Sequence, residues 1–143
     1  MIVVDDHLLL RVILEPERVL SVNGAPVDTS QVATTTMWWW RLLSAIAGNR
    51  GGVLSRAVLE REESVRQAAV ANLRSLPRLA TILDLRTLLP AIAEAASAHG
   101  LNLLAAEALV VADVLHAPVM VGVPTPRLAA AALAIGVRYV EIT

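Results

Sequence analysis

The chain has 143 residues, the size of one ordinary domain, and at 56% hydrophobic content it can bury a sizeable core. Its formal net charge is −1, and every basic residue is an Arg, dispersed along the chain, which argues against the basic stripe of a dedicated duplex-binding protein. Cysteine is absent, so disulfides and thiolate metal sites are excluded, in keeping with a reducing, cytoplasmic setting.

The opening residues MIVVDDH carry no basic leader and meet two acids at once, so no signal peptide is expected there. No charge-free apolar stretch reaches the roughly 18–20 residues needed to span a bilayer, so no membrane association is expected. The hydrophobic residues are Ala, Leu and Val rather than aromatics, with no Phe and one Tyr. Such a core packs through many small contacts between helices and buried strands.

Ile2, Val3 and Val4 form a β-branched run that predicts a buried strand, ended by Asp5 and Asp6. Asp6 is placed to cap a helix from His7 to Leu14, which stops before Pro16. Residues 15–31 carry Pro16, Asn23-Gly24 and Pro26 and read mainly as a surface connection, with Val19 to Val22 a short strand or a helical turn. Thr34, Thr35 and Thr36 then precede MWWWRLLSAIAG, so a helix is expected to begin within the Thr run and to end near Gly48. Residues 49–52, Asn-Arg-Gly-Gly, predict a turn.

Residues 55–76 are rich in charge and predict two helices breaking near Glu62, the second opened by a capping box from Ser64 to Gln67. Ala80, Thr81, Ile82 and Leu83 predict a second buried strand. The next helix is expected to open at Thr87, which puts Pro90 in its first turn, and to stop at Gly100. Asn102 caps a further helix that is apolar or small at almost every angle and must be surrounded by protein. Val119 to Val121 follow as a third strand, then a helix from Pro126 to Gly136, then a last strand from Val137 to Ile142. Short unbroken apolar strands alternating with helices predict a single α/β domain over residues 1–143, a three-layer α/β/α sandwich with a mainly parallel sheet.

Ligands of open parallel sheets bind beyond the C-terminal ends of the strands. That rule selects Asp5 and Asp6 after the first strand and residues 122–125 after the third. Glu107 is the one acid inside the apolar helix that feeds the third strand. It is either a carboxylate near a helix start that accepts backbone or Arg hydrogen bonds, or a group facing the same cleft. Carboxylates converging from distant parts of a chain hold hard cations such as Mg²⁺ or Mn²⁺.

Three stretches resemble the PIN-domain family, which includes the nuclease toxins of toxin–antitoxin pairs. Ile2-Val3-Val4-Asp5 with its apolar helix looks like the family's opening strand and first metal-binding Asp. The run from Leu103 to Ala112 looks like the family's Asp-Ala-Leu helix, with Glu107 at the acidic position. Residues 119–137 look like the closing strand and helix and the start of the last strand. The resemblance implies a metal-dependent ribonuclease, with Asp5 and Glu107 as catalytic and metal-binding residues, Mg²⁺ or Mn²⁺ as cofactor, RNA as substrate and an antitoxin-like protein as partner. The sequence departs from it too. Pro124 stands where another acid is usual, His7 replaces a small hydroxyl residue, and Glu60, Glu62 and Glu63 look like a solvated helix end. The expectation is therefore a PIN-like domain with an eroded metal site that is non-catalytic or weakly active. An active ribonuclease toxin and an unrelated α/β module for a small ligand are the alternatives.

Two physical expectations accompany this reading. Trp38, Trp39 and Trp40 project about 100° apart around a helix, so one face cannot bury all three, and the remainder is a contact for a second copy or a partner. Asp5 and Glu107 are expected to approach each other and share a proton, which would make Glu107→Gln neutral or stabilising near pH 7. The three His residues have no spacing that makes a metal site.

Overall fold

A computed structural model describes residues 1–15, 21–22, 25–26, 28–48 and 52–142. Among these, seven α-helices surround a five-stranded parallel sheet, as the alternation of apolar runs predicts. The strands are β1 (Ile2–Val4), β4 (Val32–Thr34), β5 (Thr81–Ile82), β6 (Val119–Val121) and β7 (Tyr139–Glu141). A small antiparallel pair, β2 (Ser21–Val22) with β3 (Ala25–Pro26), lies in the first connection. The expected strand or turn at Val19 and Leu20 and the expected turn at 49–51 lie outside the described residues.

The sheet order is β5-β4-β1-β6-β7. From β1 the chain moves outward through β4 to β5, then crosses to the other side for β6 and β7. The switch point lies between β1 and β6, where ligand crevices form in open parallel sheets. The side chains divide by the two-residue period of a strand. Val3, Ala33, Val119 and Val121 pack on one face under α5 (Leu85–His99), α6 (Leu103–Val114) and α7 (Pro126–Ile135). Ile2, Val4, Val32 and Met120 pack on the other with α1 (Asp6–Leu14), α2 (Thr36–Gly48), α3 (Val53–Leu59) and α4 (Glu63–Arg74). Covering both faces is what lets β1 and β6 be apolar at every position.

Helix α6 is the centre of its layer. Asn102 caps it by accepting the Ala105 N–H, and every residue from Ala105 to Ala112 is buried, Glu107 among them. Removing the side chain of a residue such as Leu109 beyond Cβ would cost about 2–5 kcal/mol.

Several boundaries differ from the sequence expectation. β4 was not anticipated, yet it sits next to β1 and joins it to β5. Asp5, not Asp6, caps α1. α4 begins at Glu63 without a side-chain cap, so the capping box does not form; Gln67 donates instead to Glu63. α5 begins at Leu85 on the Asp84 cap, so Pro90 lies inside the helix rather than in its first turn. Among the described residues no single helix is long and apolar enough to cross a membrane.

Candidate functional site

Asp5 leaves the C-terminal end of β1 in extended conformation, which turns its carboxylate back over the first turn of α1. Oδ1 accepts the Leu8 N–H at 2.8 Å. Oδ2 accepts the Gly122 N–H at 2.9 Å, from the residue that follows β6. One carboxylate thus caps a helix and ties together the two strands that flank the switch point. Gly122 sits at a close approach: a Cβ there would lie 3.2 Å from the Cβ of His7 and 3.3 Å from Leu8 Cδ2. At this level β1 and β6 are tied together by that hydrogen bond.

Burial raises the pKa of Asp5 above the ordinary carboxylate value, despite the N–H groups of Leu8 and Gly122, which favour the anion. The neighbouring charge of Asp6 adds to the rise. The acid whose charge acts on Asp5 is thus its chain neighbour, Asp6.

Asp6, the first residue of α1, is only 1% exposed. Its Oδ2 lies 3.1 Å from Arg41 Nε on α2 but out of hydrogen-bond alignment, and no other group bonds to it. Burial raises its pKa as well, with the Arg41 guanidinium opposing.

Glu107 is also 1% exposed and lies in the second turn of α6. It neither faces open solvent nor meets an Arg. Oε1 accepts the Thr36 N–H at 2.9 Å and Oε2 the Met37 N–H at 2.8 Å. Those are the first two amides of α2. The Thr35 hydroxyl accepts the third, from Trp38, at 3.0 Å. The start of α2 is thus satisfied from two directions, and an anion stands at the positive end of its dipole. Of the two readings left open for Glu107, the geometry is that of a carboxylate accepting backbone hydrogen bonds.

Asp5 and Glu107 do lie at the same edge of the sheet, because α2 starts just beyond β4 and β4 pairs with β1. Each spends its oxygens on a different backbone segment. A Mg²⁺ or Mn²⁺ ion needs a shell of several oxygens. Among the described residues no three His, Asp or Glu side chains gather where they could hold an ion. Pro124 offers none after β6, and Glu60, Glu62 and Glu63 are exposed at the break between α3 and α4. The residues in place do not fit a divalent cation.

Thr34 and Arg41 were not read from the sequence as contributors, whereas Gly122 lies in the stretch 122–125 that the sequence selected. Thr34, fully buried in β4, donates its hydroxyl to the Val4 carbonyl at 3.0 Å. Gly122 supplies an N–H and a lack of bulk. Arg41 carries the charge opposite Asp6. Only the Gly signalled itself, as a small residue directly after a strand. The three indoles diverge as expected. Trp38 is buried, Trp39 is half-buried with Nε1 donating to the Leu73 carbonyl at 2.7 Å, and Trp40 is 58% exposed. No known family model matches the chain, and no curated protein is significantly similar to it.

Proposed function

We propose that the chain is a PIN-like domain whose acidic positions have passed from metal binding to structural work, and that it acts by binding partners rather than by cutting RNA. The observation that carries this reading is the placement of Glu107. Its two oxygens receive the Thr36 and Met37 amides, so the carboxylate holds the start of α2 instead of presenting itself to a crevice. Asp5 supports it in the same way, with one oxygen on the α1 cap and the other across the switch point. The parallel α/β frame and the arrival of both acids at the C-terminal edge support the PIN-like part of the reading. A protein partner of the antitoxin kind, and a place in a toxin–antitoxin system, follow from that part alone.

Measuring thermal unfolding with and without millimolar Mg²⁺ or Mn²⁺, beside cleavage of a labelled single-stranded RNA, tests the reading. The expected result is no change in melting temperature and no cleavage. Strong stabilisation by either ion that disappears in Asp5→Asn, with RNA cleavage lost in the same variant, would overturn it in favour of a metal-dependent ribonuclease.

A further inference from the structure

The face built by the end of α2, by α3 and by the start of α4 leaves cavities and large apolar side chains at the surface. Helix α3 has seven residues and starts at Gly52 without a side-chain cap. Three cavities, of about 480, 430 and 200 Å³, adjoin it and share residues with one another. Ala45 and Ser55 belong to the first and second, and His7, Val53 and Leu54 to the second and third. Large apolar side chains stand exposed along the same face: Trp40 at 58%, Val53 at 72% and Leu59 at 46%. A contiguous apolar face of this kind marks an interaction surface.

The charges on that face indicate what covers it. The groove between α1 and α3 carries Arg11, and Arg61 paired with Glu15 at 2.5 Å in the same groove, with His7 at its head and Arg41 beyond. Arg41 is held through its ε-nitrogen by the buried Asp6, while its side chain stays 41% exposed. Directly beside this groove, where Arg11 carries the positive charge left after the Arg61–Glu15 pair, is the turn Glu60-Arg61-Glu62-Glu63, whose three acids are exposed, with Glu63 paired to Arg66. A single-stranded nucleic acid would meet one exposed indole and then three carboxylates that repel its phosphates, whereas such binding wants stacked aromatics in a positive channel. A second copy of the chain supplies both halves of the complement, and the two halves are neighbours on one patch. A two-fold axis then sets each against the other, the self-complementary arrangement of most homodimers.

We infer that two copies associate through this face about a two-fold axis, each placing its acidic Glu60 to Glu63 turn over the partner copy's Arg11–His7 groove, with Trp40 and Val53 buried between them. The inference concerns a surface apart from Asp5 and Glu107, so it stands or falls separately from the non-catalytic reading. Cleavage of RNA with Mn²⁺ would remove that reading and leave this one intact.

Sedimentation or light scattering of the full chain, from low to high micromolar concentration and in low and high salt, reads the association directly. A dimer is expected, weakened by salt. Trp40→Asp should weaken it by roughly 30-fold or more, as loss of a central aromatic anchor does. Val53→Asp tests the same face at a second exposed position. Arg11→Glu alone, and Glu60→Arg with Glu62→Arg, should each weaken it about fivefold to tenfold, since a two-fold axis counts each charge twice. Mixing those two variants should restore a heterodimer, with unchanged melting curves showing that each is folded. A monomer at every concentration, or a dimer indifferent to these substitutions, would overturn the inference. A monomer that binds a labelled single-stranded RNA and loses it in Trp40→Asp would overturn it in favour of a nucleic-acid surface.

Discussion

The carboxylate of Glu107 caps a helix 71 residues earlier in the chain, accepting the Thr36 N–H at 2.9 Å and, with its other oxygen, the Met37 N–H at 2.8 Å. This contact joins α6, the most deeply buried helix of one layer, to the start of α2, whose far side packs in the other layer. It reverses the expectation for Glu107→Gln. The amide keeps one acceptor oxygen and turns an NH₂ group toward a backbone N–H, so one buried donor loses its partner and the charge is gone. A loss of about 2–3 kcal/mol is expected, with Glu107→Ala at least as costly, because both amides are then orphaned. Urea unfolding of the two variants checks this. A Glu107→Gln protein as stable as the parent would mean that the cap contributes nothing.

The sequence left two readings for Glu107, a carboxylate accepting hydrogen bonds or a group facing the cleft, and could not name a partner. Backbone amides leave no mark on a residue pattern, and the two involved are distant in the chain. Asp5 illustrates the same gap on a smaller scale. Capping by one of two adjacent acids was legible, but the choice turned on a single position and on the Gly122 amide across the switch point. Strands β1 and β6 were plain as unbroken apolar runs. Strand β4 was not, since Val32-Ala33-Thr34 runs into two more Thr residues and reads as a polar cap. Thr34 is buried at no cost in unpaired groups because its hydroxyl donates to the Val4 carbonyl. A pattern that counts Thr as polar misses such a strand.

Gly122 gives a second prediction. The Cβ of Ala at this position would press on His7 and Leu8, at 3.2 and 3.3 Å, where α1 is anchored by its cap. The chain must move apart there, stretching the Gly122 amide away from Asp5. Gly122→Ala should cost about 1–3 kcal/mol, the range for overpacking a tight site. Gly122→Val should cost more. Equal stability of Gly122→Ala and the parent, by chemical denaturation, would show that the switch point is looser than its geometry.

Asp5 and Asp6 make stability depend on pH in a definite direction. Burial raises both pKa values above 3.8, so each folded carboxyl binds its proton more tightly than the unfolded one. Above the raised folded values each carboxylate is charged at a cost to the fold. That cost fades as pH falls through the raised folded values and is gone below the ordinary value. The contribution of these two groups to stability therefore increases on mild acidification from pH 7. Asp6→Asn removes one such charge and frees Arg41, which is exposed enough to be solvated, so it should flatten the profile. Melting temperatures of the parent and Asp6→Asn between neutral and mildly acidic pH compare the two slopes. A steeper acid-side gain in Asp6→Asn would contradict the assignment.

The ends of α5, α6 and α7 form a comparison inside one molecule. Each closes with a residue in the left-handed region, followed by an amide that bonds five residues back: Leu101 to Ala96, Ala117 to Ala112 and Val137 to Ala132. Gly100 and Gly136 occupy that position in α5 and α7, at φ of 61° and 79°. In α6 it is His116, at φ of 48°. An L-residue there costs about 1–2 kcal/mol relative to its preferred regions, which glycine avoids, while glycine gives back part of that through its freer unfolded chain. His116→Gly should thus stabilise the fold by roughly 0.5–1 kcal/mol. Gly100→Ala and Gly136→Ala should each destabilise it by about 1 kcal/mol, and the cost would be of backbone origin alone, since a Cβ at either position meets nothing within 4 Å. Unfolding free energies of the three variants measure the same term with opposite signs. Should His116→Gly destabilise while both Gly→Ala changes behave as stated, the imidazole must supply more at the end of α6 than the backbone penalty takes away.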